Sequence, residues 1–410
     1  MKLRIEKAIY GGDGLARIPG GKTVFVPGTL PGELVEATIA TDRRSFATGK
    51  LDAVLEPSAE RVAPGCEYFP RCGGCQYQHT SPAFQLQMKL DILKETLGRA
   101  HVPTPNEIAS LAGPAWGYRN RVRLHVVGPK LGYRERGSHR LLPVTHCPIA
   151  APVVEQAIAV IERVAGLGDL CEEVEFFTNG DQDQLLISLW PGPRQRPHEQ
   201  ALEAFAEQVR VQLPALIGVG LFTRQSMKYW GQRSLTYTVC GIPYQVSLGS
   251  FFQVNRFLLP ELLQRVVKNR SGRVAWDLYA GAGLFSRALE FEIVTAVESE
   301  GFSSDDLKKN LGSGPHQVVR SNTLDFLRSQ SSAPDLIVVD PPRAGLGKEI
   351  CGHLARIAAP NIIYVSCDPA TLARDLQTLL ESGYFLQTIQ LVDMFPQTFH
   401  LETVTVLVRG

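Results

Sequence analysis

From about residue 252 to the C-terminus, short apolar runs rich in β-branched residues alternate with amphipathic stretches. The runs fall at 274–278, 293–297, 336–339, 362–365 and 403–408, each about the length of a buried strand. Helical spacing between most of them predicts an α/β domain with a mainly parallel sheet, Rossmann-like in its alternation. The first sixty residues read differently. Extended runs at 23–26, 34–39 and 50–55 are broken by GGDG, PGG, PGT and PGE, the punctuation of a small antiparallel barrel. A Pro- and Cys-rich segment at 56–79 precedes a helix expected over 82–97, with Phe84, Met88 and Ile92 on its apolar face. Residues 118–144 turn extended again, 185–190 read as a strand, and 197–211 as a helix with proline in its first turn. Three units are expected: a barrel over 1–60, a small mixed central domain over 61–245, and an α/β domain over 246–410.

Composition adds one asymmetry. The 410 residues carry a formal net charge of +1. Lys plus Arg against Asp plus Glu count 8 and 8 over residues 1–60, 12 and 5 over 61–150, and 22 and 28 over 151–410. The basic excess is thus confined to one stretch, a candidate polyanion footprint. Within it Arg119, Arg121 and Arg123 recur with period two, so a strand would turn all three guanidiniums to one face, where they suit phosphate. An edge strand made soluble by charge explains the same pattern. The N-terminus lacks the apolar core of a signal peptide and no run is long and apolar enough to span a membrane, so a cytoplasmic protein is expected. Nothing calls for an obligate protein partner, and a monomer is expected.

Cys367 lies where the run ending at Val365 meets a helical stretch, in NIIYVSCDPATLARDL. A strand end meeting a helix start is where doubly wound sheets keep their chemistry, and the helix dipole is expected to favour a thiolate there. Three other features bear on it. WDLYAGAGLFSRAL has a strand turning through Gly281 and Gly283 into an expected helix, without the third glycine of a dinucleotide fingerprint. Glu298 follows 21 residues after Asp277, placed to accept from ribose hydroxyls. This pair suits a phosphate-free adenosyl cofactor, S-adenosylmethionine, better than NAD. In DLIVVDPPRAGLG an apolar strand delivers Asp340 to the sheet edge and two prolines force a non-helical exit. Methyltransferases acting on base nitrogens usually have an aromatic after such prolines, whereas Arg343 stands here. Glu402, before the last apolar run, supplies a carboxylate. Carbon 5 of uracil accepts a methyl group only after a thiolate adds to carbon 6, and then a base must remove its proton. Cys367 and Glu402 are one thiol and one carboxylate able to do this. Finally, Cys66, Cys72 and Cys75 stand at C-x5-C-x2-C with Cys147 further on, which points to a metal centre of iron–sulfur rather than zinc-ribbon spacing. Cys171, Cys240 and Cys351 lack such neighbours and read as structural.

Together these motifs resemble the RNA 5-methyluridine methyltransferase family from about residue 5 to the C-terminus. GGDGLARIPGGKTVFVPGTLPGE is similar to its TRAM domain, an RNA-binding OB-like barrel. The resemblance implies a [4Fe-4S] cluster on Cys66, Cys72, Cys75 and Cys147, and S-adenosylmethionine contacts at Gln253, Tyr279, Glu298 and Asp340. It also implies Cys367 as nucleophile and Glu402 as base, and an RNA-facing role for YRNRVR. TRAM and cluster together are most like members acting on 23S ribosomal RNA. A transfer-RNA substrate, a base-nitrogen methyltransferase and a non-catalytic iron–sulfur RNA-binding protein remain as alternatives. Leu284 departs from the asparagine that many members have after the G-x-G turn, as does VESEGFSSDDLKKN from the usual helix opening.

Overall fold

The computed structural model describes every residue of the chain except Arg194, Arg196, Arg224 and Gln225. Residues 2–56 form a six-stranded sheet whose inward side chains, among them Leu3, Ile5, Val24, Val26, Val35 and Ala37, make a core of their own. Its pairings are antiparallel except one. Thr23–Pro27 runs parallel to Phe46–Glu56 because the intervening strand Leu34–Asp42 takes the antiparallel place beside the latter.

The middle of the chain forms a seven-stranded sheet from Arg121 to Gly231, with the hairpin Ser234–Val239 and Ile242–Ser247 beside it. Alternation along Arg121–Val127 buries Val122, Leu124 and Val126 in a core shared with the helices Pro152–Ile161 and Glu199–Gln212.

The last third is an eight-stranded sheet. Ser271–Leu278 lies centrally, with Glu290–Glu298 and Gln317–Arg320 on one side and Leu336–Val339 and Asn361–Ser366 on the other, all parallel. Glu402–Arg409 then runs antiparallel between Asn361–Ser366 and Tyr384–Val392. The expected parallel alternation is present, but the G-x-G turn leads only into a 3₁₀ turn at Ser286–Ala288. The next strand begins at Glu290, which leaves no room for a helix. Gly283, at φ +90°, packs so closely that a Cβ would sit 2.7 Å from Leu307, whereas Gly281 faces open space.

Two pieces from before residue 112 join this C-terminal layer. Strand Ala109–Leu111 pairs with Tyr384–Val392, and helix Pro82–Arg99 buries Met88, Ile92, Leu93 and Leu97 in the core beneath Leu372, Leu376 and Ile389. Among the described residues no helix is long and apolar enough to cross a membrane.

Candidate active site

Register brings the candidate residues to one edge of the C-terminal sheet. Leu278 pairs with Val297 and Val339, Val339 with Tyr364, and Ser366 with Thr403. Tyr279, Glu298, Asp340 and Cys367 therefore leave or end their strands at the same edge, where Glu402 enters the antiparallel one. Gln253 arrives from outside the sheet, and its Nε2 donates to Asp340 Oδ2 at 3.1 Å. Glu298 Oε2 accepts from Gly281 N at 2.9 Å while its Oε1 takes the amides of Ser299 and Glu300, each at 2.7 Å. Oε1 is thereby filled, and Oε2 retains acceptor capacity. The helix cap next to it is Glu300, which accepts from Ser303 N, so Glu298 is free of that duty.

Burial governs the electrostatics. Asp277 is wholly buried, accepts from the Ser286 amide at 2.9 Å and from its hydroxyl, and keeps one oxygen without a partner. Loss of solvent pushes its carboxyl up to about 7, and desolvation followed by the Asp277 charge does the same to Asp340. Glu402 is raised well above the usual carboxylate range by burial and then by Asp340. Three carboxyls thus share a dry region, and among the described residues no cationic side chain is ion-paired with them, a setting that suits a bound positive charge.

The Cys367 thiol is pushed up to about 12, by desolvation first and then by Glu402 and Asp340, with Arg343 opposing. The thiolate expected from the helix dipole is not the resting form. Burial is the main reason, and the helix start gives no compensation: Asp368, N-cap of helix Pro369–Glu381, takes the Ala370 and Thr371 amides at 3.0 Å each, so a carboxylate rather than the sulfur uses it.

The loop that delivers Glu402 is held from several directions, none of them read from the sequence. Lys89 Nζ reaches Asp393 Oδ1 at 2.6 Å and the Phe395 carbonyl at 2.9 Å in an ion pair with almost no exposure. Gln85 pairs with Gln397 through its amide, donating at 2.9 Å and accepting from Gln397 N at 2.8 Å. The Tyr118 hydroxyl donates to the Pro396 carbonyl at 3.1 Å. The signal was present: Gln85 and Lys89 stand four apart on the same buried stripe as Met88 and Ile92, where polar residues need partners. Arg343 lies 3.1 Å from His400 Nε2, and burial, then Arg343, drives that imidazole down to about 3, so it is neutral and accepts.

Cys66, Cys72, Cys75 and Cys147 line one cavity away from this edge, together with Arg119 and Tyr133. Burial pushes Cys72 up to about 11 and Cys75 to about 12, and raises Cys147. Arg119 is buried there with its Nε unpartnered. Among the described residues no three His, Cys, Asp or Glu side chains are gathered tightly enough to hold a metal ion as they stand. Cys171, Cys240 and Cys351 stand outside the cavity lining.

The arginine row is not a free cationic face. Arg119 turns into the cysteine cavity. Arg121 lies 4.0 Å over the Phe177 ring and 3.4 Å from Glu175, and Arg123 lies 3.9 Å over Trp190 and 3.2 Å from Glu175. The neighbouring strand sets Phe177 opposite Arg121 and Glu175 opposite Arg123, with Glu173 opposite His125, which period two in a single strand could not reveal. Elsewhere in the basic stretch, Arg61 pairs with Glu33, Arg136 with Asp13, and Lys89 with Asp393.

Known proteins share this architecture. The sequence profile described as tRNA (Uracil-5-)-methyltransferase matches residues 316–410, and that of the TRAM domain residues 1–51. A Thermotoga maritima protein named "Uncharacterized RNA methyltransferase" is 31% identical, covering 100% of this chain and 99% of that one. The "23S rRNA (uracil(1939)-C(5))-methyltransferase RlmD" of Chromohalobacter salexigens is 33% identical, covering 99% and 89%. The crystal structure of Pyrococcus abyssi tRNA (uracil-54, C5)-methyltransferase in complex with S-adenosyl-L-homocysteine covers 100% of both chains with a TM-score of 0.76 at 22% identity, a likeness of fold.

Proposed function

From the premise that this chain belongs to the RNA (uracil-5-)-methyltransferase family, and is a methyltransferase that uses S-adenosylmethionine on uracil in RNA, we propose the roles of its residues and its substrate. Cys367 is the nucleophile and Glu402 the base. The observation that carries this is the register: Ser366 pairs with Thr403, so a thiol and a buried carboxyl flank one gap at the sheet edge beside Asp340.

The cofactor supplies an electrophilic methyl group on a sulfonium when bound. Glu298 would hold its ribose, with the Oε2 lone pair left over beside Gly281 as the acceptor for a hydroxyl. Tyr279, at φ +64° in the turn after its strand, is proposed as a further cofactor contact at the same edge. Asp340, held by Gln253, faces the reacting end. The partnerless Asp277 oxygen and the raised carboxyls fit a bound cation, whose field lowers all three and the thiol with them. Cys367 Sγ, its proton given up to solvent, would then add to carbon 6 of the uracil, and carbon 5 would take the methyl group as the sulfonium S–CH3 bond breaks and the cofactor leaves as the neutral thioether S-adenosylhomocysteine. Glu402 removes the carbon 5 proton, and elimination returns the thiolate. The target base is splayed from its stack, since the thiol at the sheet edge cannot reach carbon 6 inside a helix.

RNA carrying 5-fluorouridine at the target tests the chemistry, because fluorine at carbon 5 cannot leave as a proton. A covalent adduct lost in Cys367→Ala is expected; an RNA that is methylated yet never trapped overturns the mechanism, and a nitrogen methyltransferase is then favoured.

The substrate proposed is a uridine of 23S ribosomal RNA, supported by the rRNA-directed names of relatives that match almost the whole chain. The tRNA name of the matching family profile keeps transfer RNA as a second reading. Cys66, Cys72, Cys75 and Cys147 are proposed to hold a [4Fe-4S] cluster. Four thiols around one cavity that Arg119 also lines, its buried Nε without a hydrogen-bond partner, fit an anionic iron–sulfur group. The group supplies a structural clamp, because methyl transfer moves no net electrons. Anaerobically purified protein is expected to be coloured and to contain iron; colourless protein with stoichiometric zinc overturns the assignment.

A further inference from the structure

The hairpin between strands Lys7–Ala8 and Asp13–Arg17 turns at Gly11 and Gly12, at φ +108° and +91°. Its tip does not end in solvent. The Tyr10 hydroxyl donates to the Cys367 carbonyl at 3.2 Å, and the Tyr10 ring meets Phe399 edge-on with centroids 5.2 Å apart. Gly12 lies against Gln76 so closely that a Cβ would sit 2.8 Å from the Gln76 side chain. Gln76 in turn follows Cys75, donates its amide to the Gln397 carbonyl at 2.9 Å, and accepts from Phe399 N at 3.4 Å. Asp13 closes the contact with Arg136 at 3.0 Å. One turn of the N-terminal domain is therefore wedged between the loop bearing Cys367, the loop leading to Glu402, and the cysteine-bearing loop.

We propose that Tyr10 is a positioning residue for methyl transfer: its hydrogen bond fixes the Cys367 peptide, and with it the direction of the thiol, so the TRAM domain completes the catalytic centre as well as meeting RNA. The inference rests on Cys367 being the nucleophile. Cys367 lies between the last residue of its strand, Ser366, and the helix cap, Asp368. A peptide at such a junction is free to tilt unless its carbonyl is held, and a misplacement of about 1 Å in a reacting atom costs on the order of 100-fold. Burial and the Asp368 charge keep the Tyr10 phenol protonated, so it remains a donor throughout the working range.

Tyr10→Phe keeps the ring on Phe399 and removes only the hydroxyl. The full-length variant, measured with the wild type on the same methyl-accepting RNA, is expected to lose about 10-fold in kcat, the scale of one hydrogen bond. Its KM for RNA should stay within about two-fold and its melting temperature should match the wild type. Trapping by the 5-fluorouridine RNA should slow by the same factor as kcat. Tyr10→Leu, which also loses the ring contact, should slow both further. Equal trapping rates for Tyr10→Phe and wild type, or a loss confined to KM, overturn the proposal and leave Tyr10 an RNA or packing residue. If the wild type itself is never trapped while methylating, it is the nucleophile assignment that fails.

Discussion

Asp277 illustrates what one residue contributes and hides. Read from the sequence it is the acid closing the first strand before the G-x-G turn; in the structure it is a buried carboxyl whose one free oxygen has no partner. Its folded value of about 7 lies above the ordinary 3.8, as does that of Asp340, so the folded state binds these protons more tightly than the unfolded chain. The stability they contribute is fully present below about pH 4 and is lost as pH rises through about 7. Cofactor-free protein should melt at falling temperature between about pH 4 and pH 7, in low salt. Asp277→Asn, which keeps an acceptor for the Ser286 amide, should flatten part of that fall. A melting temperature independent of pH over this window in the wild type sinks the account. Position at this scale was legible: Cys367, Asp340 and Glu298 stand out because strand ends before turns are visible as apolar runs followed by polar residues, and Glu402 because it opens the last apolar run. Their protonation was not, because it depends on burial by distant segments.

At the scale of elements, the helix Pro369–Glu381 carries the clearest consequence. Its Asp368 cap uses the free amides that the sequence had offered to Cys367, and the Asp368 charge adds to the forces raising the thiol. Asp368→Asn keeps a capping oxygen and removes the charge. The Cys367 thiol, followed by its alkylation rate against pH, should titrate at a lower pH in this variant than in the wild type, with the helix intact by circular dichroism. An unchanged alkylation profile counts against the charge of Asp368 as a cause. Element prediction failed at three strands and one helix. The edge strands Gln317–Arg320 and Ala109–Leu111 are short and half-exposed, so they leave little periodic signal. Tyr384–Val392 has its alternation interrupted by a bulge between Leu386 and Thr388. The helix expected after Gly283 shrank to a 3₁₀ turn because the following strand starts early.

For the whole molecule, the chain order conceals how the parts interleave. Helix Pro82–Arg99 and strand Ala109–Leu111 precede the central sheet in sequence yet build the C-terminal layer, and the N-terminal hairpin tip enters the candidate active site. The cysteine-bearing loop touches the same place, since the Gln76 and Tyr77 amides both reach the Gln397 carbonyl, at 2.9 and 3.0 Å. A basic stretch that looked like a polyanion face is in large part internal wiring, its guanidiniums and ammonium spent on Glu175, Glu33, Asp13 and Asp393. The sequence by itself determined the reaction class and marked the candidate residues, because alternating strands and helices carry the ends of the parallel strands to one edge, where the antiparallel last strand begins, and local residue types mark those positions. Only the tertiary structure decided which of these groups is charged, which cations are free, and that Tyr10 meets Cys367 across 357 residues of chain. Desolvation and hydrogen-bond partners are set by contacts between segments far apart in sequence, and no local pattern records them.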